Sequence, residues 1–420
     1  MAQHPFLKSI RPVNLLSFGP DTEEIELRPL NILIGPNGCG KSNLIEIIGL
    51  LGKLSDKDPW SEVIRTGGAS EWVWKGKWAN GGFPFLAVTT ARKNLEPGRI
   101  FPRIGESTEP LYYSISLSVL QGGFVVRNER FLEIGEGVDP KRATNDSFER
   151  NGRSRGDDES TWELVGKLEL GKLRPSITEG RSVLSALGSD PYFSTHYPRM
   201  RELADAFGQF ASYKDWTFGH KSETRQLQPV GLDSYRLTSD SINLAQVLKA
   251  MRDRGESAVF ERFLELLRTF YEPVKDVDTE LVGTHLRIMI KEDGLSSRTP
   301  AERLSDGTLR WLTLLIILLD PTPPPVICID EPELGLHPDA IHTLADLLVE
   351  ASTRTQLIIT THSDSLLDAF TDKPETVCVC EKVEGSTVIQ RLDKKRLKVW
   401  LDQYSLGKLW MSGEIGGNRW

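Results

Sequence analysis

The feature that most constrains this chain is the octapeptide Gly35-Pro36-Asn37-Gly38-Cys39-Gly40-Lys41-Ser42, which satisfies G-x-x-x-x-G-K-[ST] completely. Each element has a chemical reason. Glycines let the backbone curl until its N–H groups point inward at phosphate oxygens. A helix starting at the end of the loop aims its positive pole at the same anions. Lys41 is placed to reach the β- and γ-phosphates of a nucleotide, and Ser42 to ligate Mg²⁺. Asn37, Gly38, Cys39, Gly40 and Asn43 complete the expected cradle. The context agrees. Asn31-Ile32-Leu33-Ile34 is an apolar run suited to a buried strand, and Asn43 to Leu54 is apolar on most faces, as a core helix is. Cys39 reads first as a small residue that fits the curl. A thiol at a helix N-terminus also has a lowered pKa and oxidises readily.

A phosphate loop needs a second half, and the last third of the chain offers one. Val326-Ile327-Cys328-Ile329-Asp330-Glu331 is an apolar run ending in two carboxylates. Ligands bind where parallel strands end at their carboxyl edge. Asp330 is expected to hold Mg²⁺ and Glu331 to polarise the water that attacks the γ-phosphate. Thr308 to Leu319 reads as a helix stopped by Pro321, Pro338 to Ala351 as a second helix, and Leu357 to Thr360 as a buried strand. This alternation predicts a parallel sheet covered by helices. The middle differs. Tyr113, Ile115, Leu117 and Val119 alternate as in an antiparallel sheet, residues 143–160 have almost no apolar content and read as a mobile loop, and 184–272 carries apolar residues at threes and fours, as helices do. No heptad pattern is sustained over many turns, so no long coiled-coil arm is expected.

The run Asp330-Glu331-Pro332-Glu333-Leu334-Gly335-Leu336-His337-Pro338 resembles the Walker B and D-loop region of RecF-like and SMC-like ABC ATPases, most closely the ATPase part of overcoming-lysogenisation-defect (OLD) nucleases. Leu304-Ser305-Asp306-Gly307-Thr308 resembles the ABC signature, usually LSGGQ, and Thr360-Thr361-His362-Ser363 the switch-histidine segment. The resemblance implies an α/β P-loop fold of the ABC-ATPase head type, with an antiparallel β lobe and an inserted helical lobe. The expected division is residues 1–70 and 281–420 for the head, 71–175 for the β lobe and 176–280 for the helical insertion. It further implies ATP as ligand, a homodimer in which Ser305 and Gly307 of one copy face the γ-phosphate held by the other, and His362 as the sensor of that phosphate. A separate effector protein, a nuclease or toxin, is the implied partner, in DNA maintenance or anti-phage defence. Two departures stand out: Asp306 puts a negative charge where the signature usually has glycine, and it is expected to point away from phosphate. No Q-loop glutamine is identifiable.

Composition limits the alternatives. A net charge of −8 gives no bulk attraction for nucleic acid, so DNA binding rests on the resemblance alone. The basic run Asp393 to Lys398 reads as a solvated helix face. The longest apolar stretch, Trp311 to Leu319, is too short to span a bilayer, and no signal peptide is visible, so the expected compartment is the cytoplasm. Cys378 and Cys380 lie two apart on one strand face and read as core packing. No carboxylate cluster with nuclease spacing follows His362, so the chain is not expected to cut nucleic acid by itself. Two other readings stay open: an ATP-gated scaffold that holds an effector without hydrolysis, and a transporter's ATPase subunit.

Overall fold

The computed structural model describes residues 6–76, 82–91, 109–134, 148–152, 162–164, 182–187, 198–214, 216, 218–219, 221–233, 235–254 and 257–416. The chain divides into two compact units, one formed by Met1–Phe210, Cys378–Arg391 and Gly416–Trp420, the other by Ala211–Val377 and Leu392–Ile415.

The first unit carries a seven-stranded sheet in the order β2-β1-β4-β5-β6-β7-β8. Its strands are β1 (Leu7–Val13), β2 (Ile25–Glu26), β4 (Phe85–Thr90), β5 (Leu111–Leu120), β6 (Gly123–Glu133), β7 (Phe148–Gly152) and β8 (Trp162–Leu164). Every pairing in it is antiparallel. The alternation at 113–119 is the register of β5, where Tyr113, Ile115 and Leu117 are buried and Val119 is exposed. Most of the stretch 143–160, read as a mobile loop, lies outside the described residues. Within it Phe148–Gly152 is a strand, because main-chain ladder bonds to β6 and β8 need no apolar side chains. The buried strand β3 (Leu30–Ile34) leads into the phosphate loop, and α1 (Lys41–Lys53) leaves it. Leu44, Ile45, Ile47, Ile48, Leu50 and Leu51 bury α1 nearly all round. Short helices α2 (Ser61–Arg65), α3 (Ala69–Trp72) and α4 (Val183–Leu187) and the longer α5 (Pro198–Phe207) are the unit's other helices among the described residues. A hairpin of β16 (Val377–Val383) and β17 (Ser386–Arg391) returns late in the chain beside β3, in the order β17-β16-β3. Cys378 and Cys380 are both buried in β16.

The second unit is built on the parallel strands β9 (Ala211–Tyr213), β14 (Val326–Asp330) and β15 (Gln356–Thr360), with β14 in the middle. Strand β9 falls inside the stretch that read as helical. Three residues cannot show a period, and parallel pairing to β14 decides their conformation. The helices are α6 (Leu244–Asp253), α7 (Ser257–Phe270), α8 (Asp306–Leu318), α9 (Asp339–Ala351), α10 (Asp364–Asp368), α11 (Lys394–Leu401) and α12 (Leu406–Ser412). A second sheet runs β10-β12-β11, with β13 beside β12; these are β10 (Gln228–Pro229), β11 (Val274–Val282), β12 (His285–Glu292) and β13 (Thr299–Pro300). Helix α8 is apolar on every side and buried almost throughout. Its Trp311 is fully buried, stacks on Phe270 and donates to the Leu266 carbonyl at 3.0 Å. Helix α11 buries no residue, so the basic run is a solvated face. Among the described residues no helix is long and apolar enough to cross a membrane.

Candidate functional site

Two clusters carry the chemistry. The first, in the first unit, is the loop between β3 and α1. Gly40 ends it in the left-handed region at φ 111°. A Cβ there would sit 2.2 Å from Thr387 Oγ1 and 2.5 Å from Ser17 Oγ, so conformation and space both demand glycine. Thr387 donates to the Cys39 carbonyl at 2.6 Å and lies 2.7 Å from Ser17 Oγ, anchoring the loop to the β16–β17 hairpin. Lys41 is buried and its ammonium folds back onto its own loop. It donates to the carbonyls of Gly35 at 2.8 Å and Pro36 at 3.1 Å, with Cys39 Sγ at 3.8 Å. These carbonyls hold the charge where an anion inside the curl would meet it. Asn37, Gly38 and Ser42 are exposed, and Asn43 is half-buried.

The second cluster, in the second unit, lies where β14 and β15 end side by side, Asp330 paired in register with Thr360. The Thr360 hydroxyl bonds the Asp330 carboxylate and lies 3.1 Å from the Glu331 nitrogen, which also donates to the Thr360 carbonyl at 3.1 Å. These bonds fix Glu331 at φ 46°, a left-handed conformation that a glutamate rarely adopts. His362 Nε2 stands 3.5 Å from Glu331 Oε1. The structure thus brings Asp330, Glu331 and His362 to one strand edge.

Behind them is a buried carboxylate that sequence reasoning passed over. Glu333 accepts from the Thr361 hydroxyl at 2.5 Å and from the His362 backbone N–H at 3.1 Å, while its Oε2 has no partner. Burial raises its pKa above the usual carboxylate range, against the pull of those hydrogen bonds. Its only sequence signal was its place three residues after Asp330.

The signature segment opens α8. Ser305 is exposed and caps the helix, its hydroxyl accepting from the Thr308 N–H at 3.0 Å. Gly307 approaches the D-loop so closely that a Cβ would lie 2.6 Å from the Gly335 carbonyl oxygen. The added charge of Asp306 is paired with Arg225. That guanidinium is buried and also donates to the carbonyls of Leu304 at 2.5 Å, Phe218 at 2.7 Å, Ala301 at 3.3 Å and Glu302 at 3.4 Å. It therefore braces the approach to α8 from behind. Nothing local in the sequence marks Arg225, because all its partners but Phe218 lie more than seventy residues along the chain. Arg310, on α8, donates to the Leu334 carbonyl and lies over the Trp216 ring at 5.2 Å, tying the helix to the same D-loop. Two glutamines between the phosphate loop and the signature, Gln228 and Gln246, are spent on main-chain groups: Gln228 accepts from Ala245 N, and Gln246 bridges Pro229 O and Gly231 N.

The sequence profile of the family described as "AAA domain, putative AbiEii toxin, Type IV TA system" matches residues 30–122 and 171–368. The chain belongs to this family. The match takes in the phosphate loop, the signature, the carboxylate pair and His362. Among solved structures, an SmcHead bound to the C-winged helix domain of ScpA is similar at a TM-score of 0.55 and 15% identity, covering 93% of this chain and 99% of that one. The Smc head domain with an extended coiled coil from Pyrococcus furiosus, bound to the C-terminal domain of ScpA, is similar at a TM-score of 0.52 and 15% identity, covering 95% and 99%. The fold of this AAA-domain chain is thus the P-loop ABC-type head. No curated protein matches its sequence, and the narrower resemblance to OLD proteins finds no counterpart in these comparisons.

Proposed function

We propose that the chain is an ATP-hydrolysing head that works as a homodimer and acts on a separate effector protein in anti-phage defence or DNA maintenance. The observation that carries the chemistry is Glu331, held in a strained conformation with its carboxylate beside His362. Strain of this kind persists where the surroundings over-determine it, and it concentrates at active sites. In this reading the loop at 35–43 holds the triphosphate, and Lys41 leaves the Gly35 and Pro36 carbonyls to meet the β- and γ-phosphates. Glu331 accepts a proton from the attacking water, and His362 contacts the γ-phosphate and registers its loss. Ser42 and Asp330 offer a hydroxyl and a carboxylate, hard oxygen donors that suit Mg²⁺. When bound, the ion would neutralise charge on the β- and γ-phosphates.

Dimerisation is supported by Ser305. It is exposed at the start of a 13-residue helix whose dipole favours an anion, and Arg225 cancels the charge that Asp306 adds there. The effector is supported by the family's description, which names a toxin and a toxin–antitoxin system, and by the ScpA domains bound to the similar Smc heads. A complementation assay tests the composite site. Lys41→Ala and Ser305→Arg each silence phosphate release alone. Mixed in equal amounts, they should recover about a quarter of wild-type turnover, because half the dimers hold one intact site out of two. A mixture as inactive as its components removes the dimer from the account.

A further inference from the structure

The D-loop and the switch-histidine segment are joined by one carboxylate to which the hydrolytic reading gives no task. Glu333 is 8% exposed. Its Oε1 accepts from the Thr361 hydroxyl at 2.5 Å and from the His362 backbone N–H at 3.1 Å. The Thr361 oxygen in turn accepts from the Ser363 N–H at 2.9 Å, and the Ser363 hydroxyl caps α10 by accepting from the Leu366 N–H at 3.1 Å. The main chain is therefore fixed on both sides of His362. This sets where its ring stands, with Nε2 3.5 Å from Glu331 Oε1. At its other end Glu333 belongs to a bonded turn. The Leu334 N–H donates to the Glu331 carbonyl at 3.2 Å and the Leu336 N–H to the Glu333 carbonyl at 3.1 Å. Helix α8 grips that turn twice: Arg310 donates to the Leu334 carbonyl, and Gly307 lies against the Gly335 carbonyl. Contacts thus run unbroken from the start of α8, through the D-loop and Glu333, to His362.

We infer that Glu333 is a positioning residue: it sets the His362 ring against Glu331 and makes that placement follow the start of α8. Packing does not explain a carboxylate here. Its Oε2 is buried without a hydrogen-bond partner, a cost that an apolar side chain would avoid. What an apolar side chain cannot do is accept from Thr361 and His362 together. An amide can, through its one oxygen, so the task is acceptance at a fixed point rather than negative charge. Glu333 stands behind the strand edge and acts through His362. A displacement of Gly307 or Arg310 moves 334–335, the turn moves Glu333, and Glu333 moves the His362 main chain. Close-packed interiors transmit such shifts because they hold little space to absorb them. Without the acceptor the histidine loses this connection, and its ring leaves the geometry that Glu331 meets. The inference deepens the reading of Glu331 and His362 as the groups that act on the γ-phosphate, and it rests on that reading.

Two readouts on the full chain test it, and the first needs no turnover. With only histidine isotopically labelled for NMR, the seven histidines give the amide signals, and His362→Ala identifies the one from His362. Glu333→Met, which keeps the length and loses the acceptor, should move that signal, whereas Glu333→Gln should leave it near its place. Gly307→Ala should move it in the wild type and add nothing in the Glu333→Met background. The second readout is phosphate release beside ATP binding. Glu333→Met should slow release about tenfold or more with affinity nearly unchanged, and Glu333→Gln should recover most of the rate. In a His362→Ala background Glu333→Met should cost less than about twofold more, because it acts through a ring already removed. Glu333→Asp keeps the charge but withdraws it by one methylene; it should behave as Glu333→Met does, and it replaces that variant if methionine prevents folding. An unmoved His362 signal, a Gly307→Ala shift that persists without the acceptor, equal losses from methionine and glutamine, or losses that multiply with His362→Ala overturn the inference. If His362→Ala alone releases phosphate at the wild-type rate, the phosphate-sensing reading fails, while the amide signal still reports on the tie.

Discussion

Replacing Arg225 by leucine isolates what holds the signature segment in place. The side chain is 5% exposed, and its guanidinium serves five acceptors at once. Leucine keeps the apolar stem and donates nothing. The carbonyls of Leu304 and Phe218, bonded at 2.5 and 2.7 Å, are then left without this donor in the interior. Each such loss costs about 1–3 kcal/mol. The contacts to Ala301 and Glu302, at 3.3 and 3.4 Å, add less. The Asp306 pair adds little, because that carboxylate is 65% exposed and water screens it. The expected destabilisation is about 2–5 kcal/mol, a fall of roughly 5–15 °C in the melting temperature of a unit this size. Scanning calorimetry reads it. Phosphate release should fall by about 10²-fold, because the start of α8 loses its register. Asp306→Ala is the control and should melt within about 1 kcal/mol of wild type. If Arg225→Leu melts like the wild type, or if Asp306→Ala costs as much, the carbonyl brace is not what positions this helix.

Three further perturbations have definite signs. Gly307→Ala forces a methyl group to 2.6 Å from the Gly335 carbonyl oxygen, so α8 and the D-loop must part; a loss of about 1–3 kcal/mol in thermal unfolding and slower phosphate release are expected. Glu333→Gln removes a carboxyl whose pKa burial has raised. A raised folded pKa means that the wild-type contribution is full below the unfolded value near 4.5 and is lost as pH rises through the folded value. The melting temperature of the glutamine variant relative to wild type should therefore climb as the pH rises above 4.5, and a pH-independent difference contradicts this. Thr360→Val keeps the shape but removes the hydroxyl shared by Asp330 and the Glu331 N–H; turnover should fall about tenfold or more with ATP affinity changed far less.

The local part of this architecture was legible because short-range physics writes it. The loop at 35–42 advertises its curl through its glycines, and the apolar runs at 31–34 and 326–329 are buried strands. Helix α8 is stopped where Pro321 demanded. What stayed hidden depends on distant partners. Strand β9 is three residues long and exists because β14 lies beside it. Arg225 is an arginine among many until Asp306 and four carbonyls converge on it. Glu331 adopts a positive φ that no rule for glutamate anticipates, since Thr360 imposes it from the neighbouring strand. Asp306 adds a negative charge to the signature, and nothing near it in the sequence shows that a buried guanidinium pairs with it.

The central claim is that Glu331 turns bound ATP over, and single-turnover phosphate release from Glu331→Gln, measured beside ATP binding by the same protein, addresses it most directly. The account predicts affinity close to wild type with release at least about 100-fold slower, since a positioned general base contributes 10²–10⁴-fold. Release at the wild-type rate from a variant that still binds ATP would contradict it.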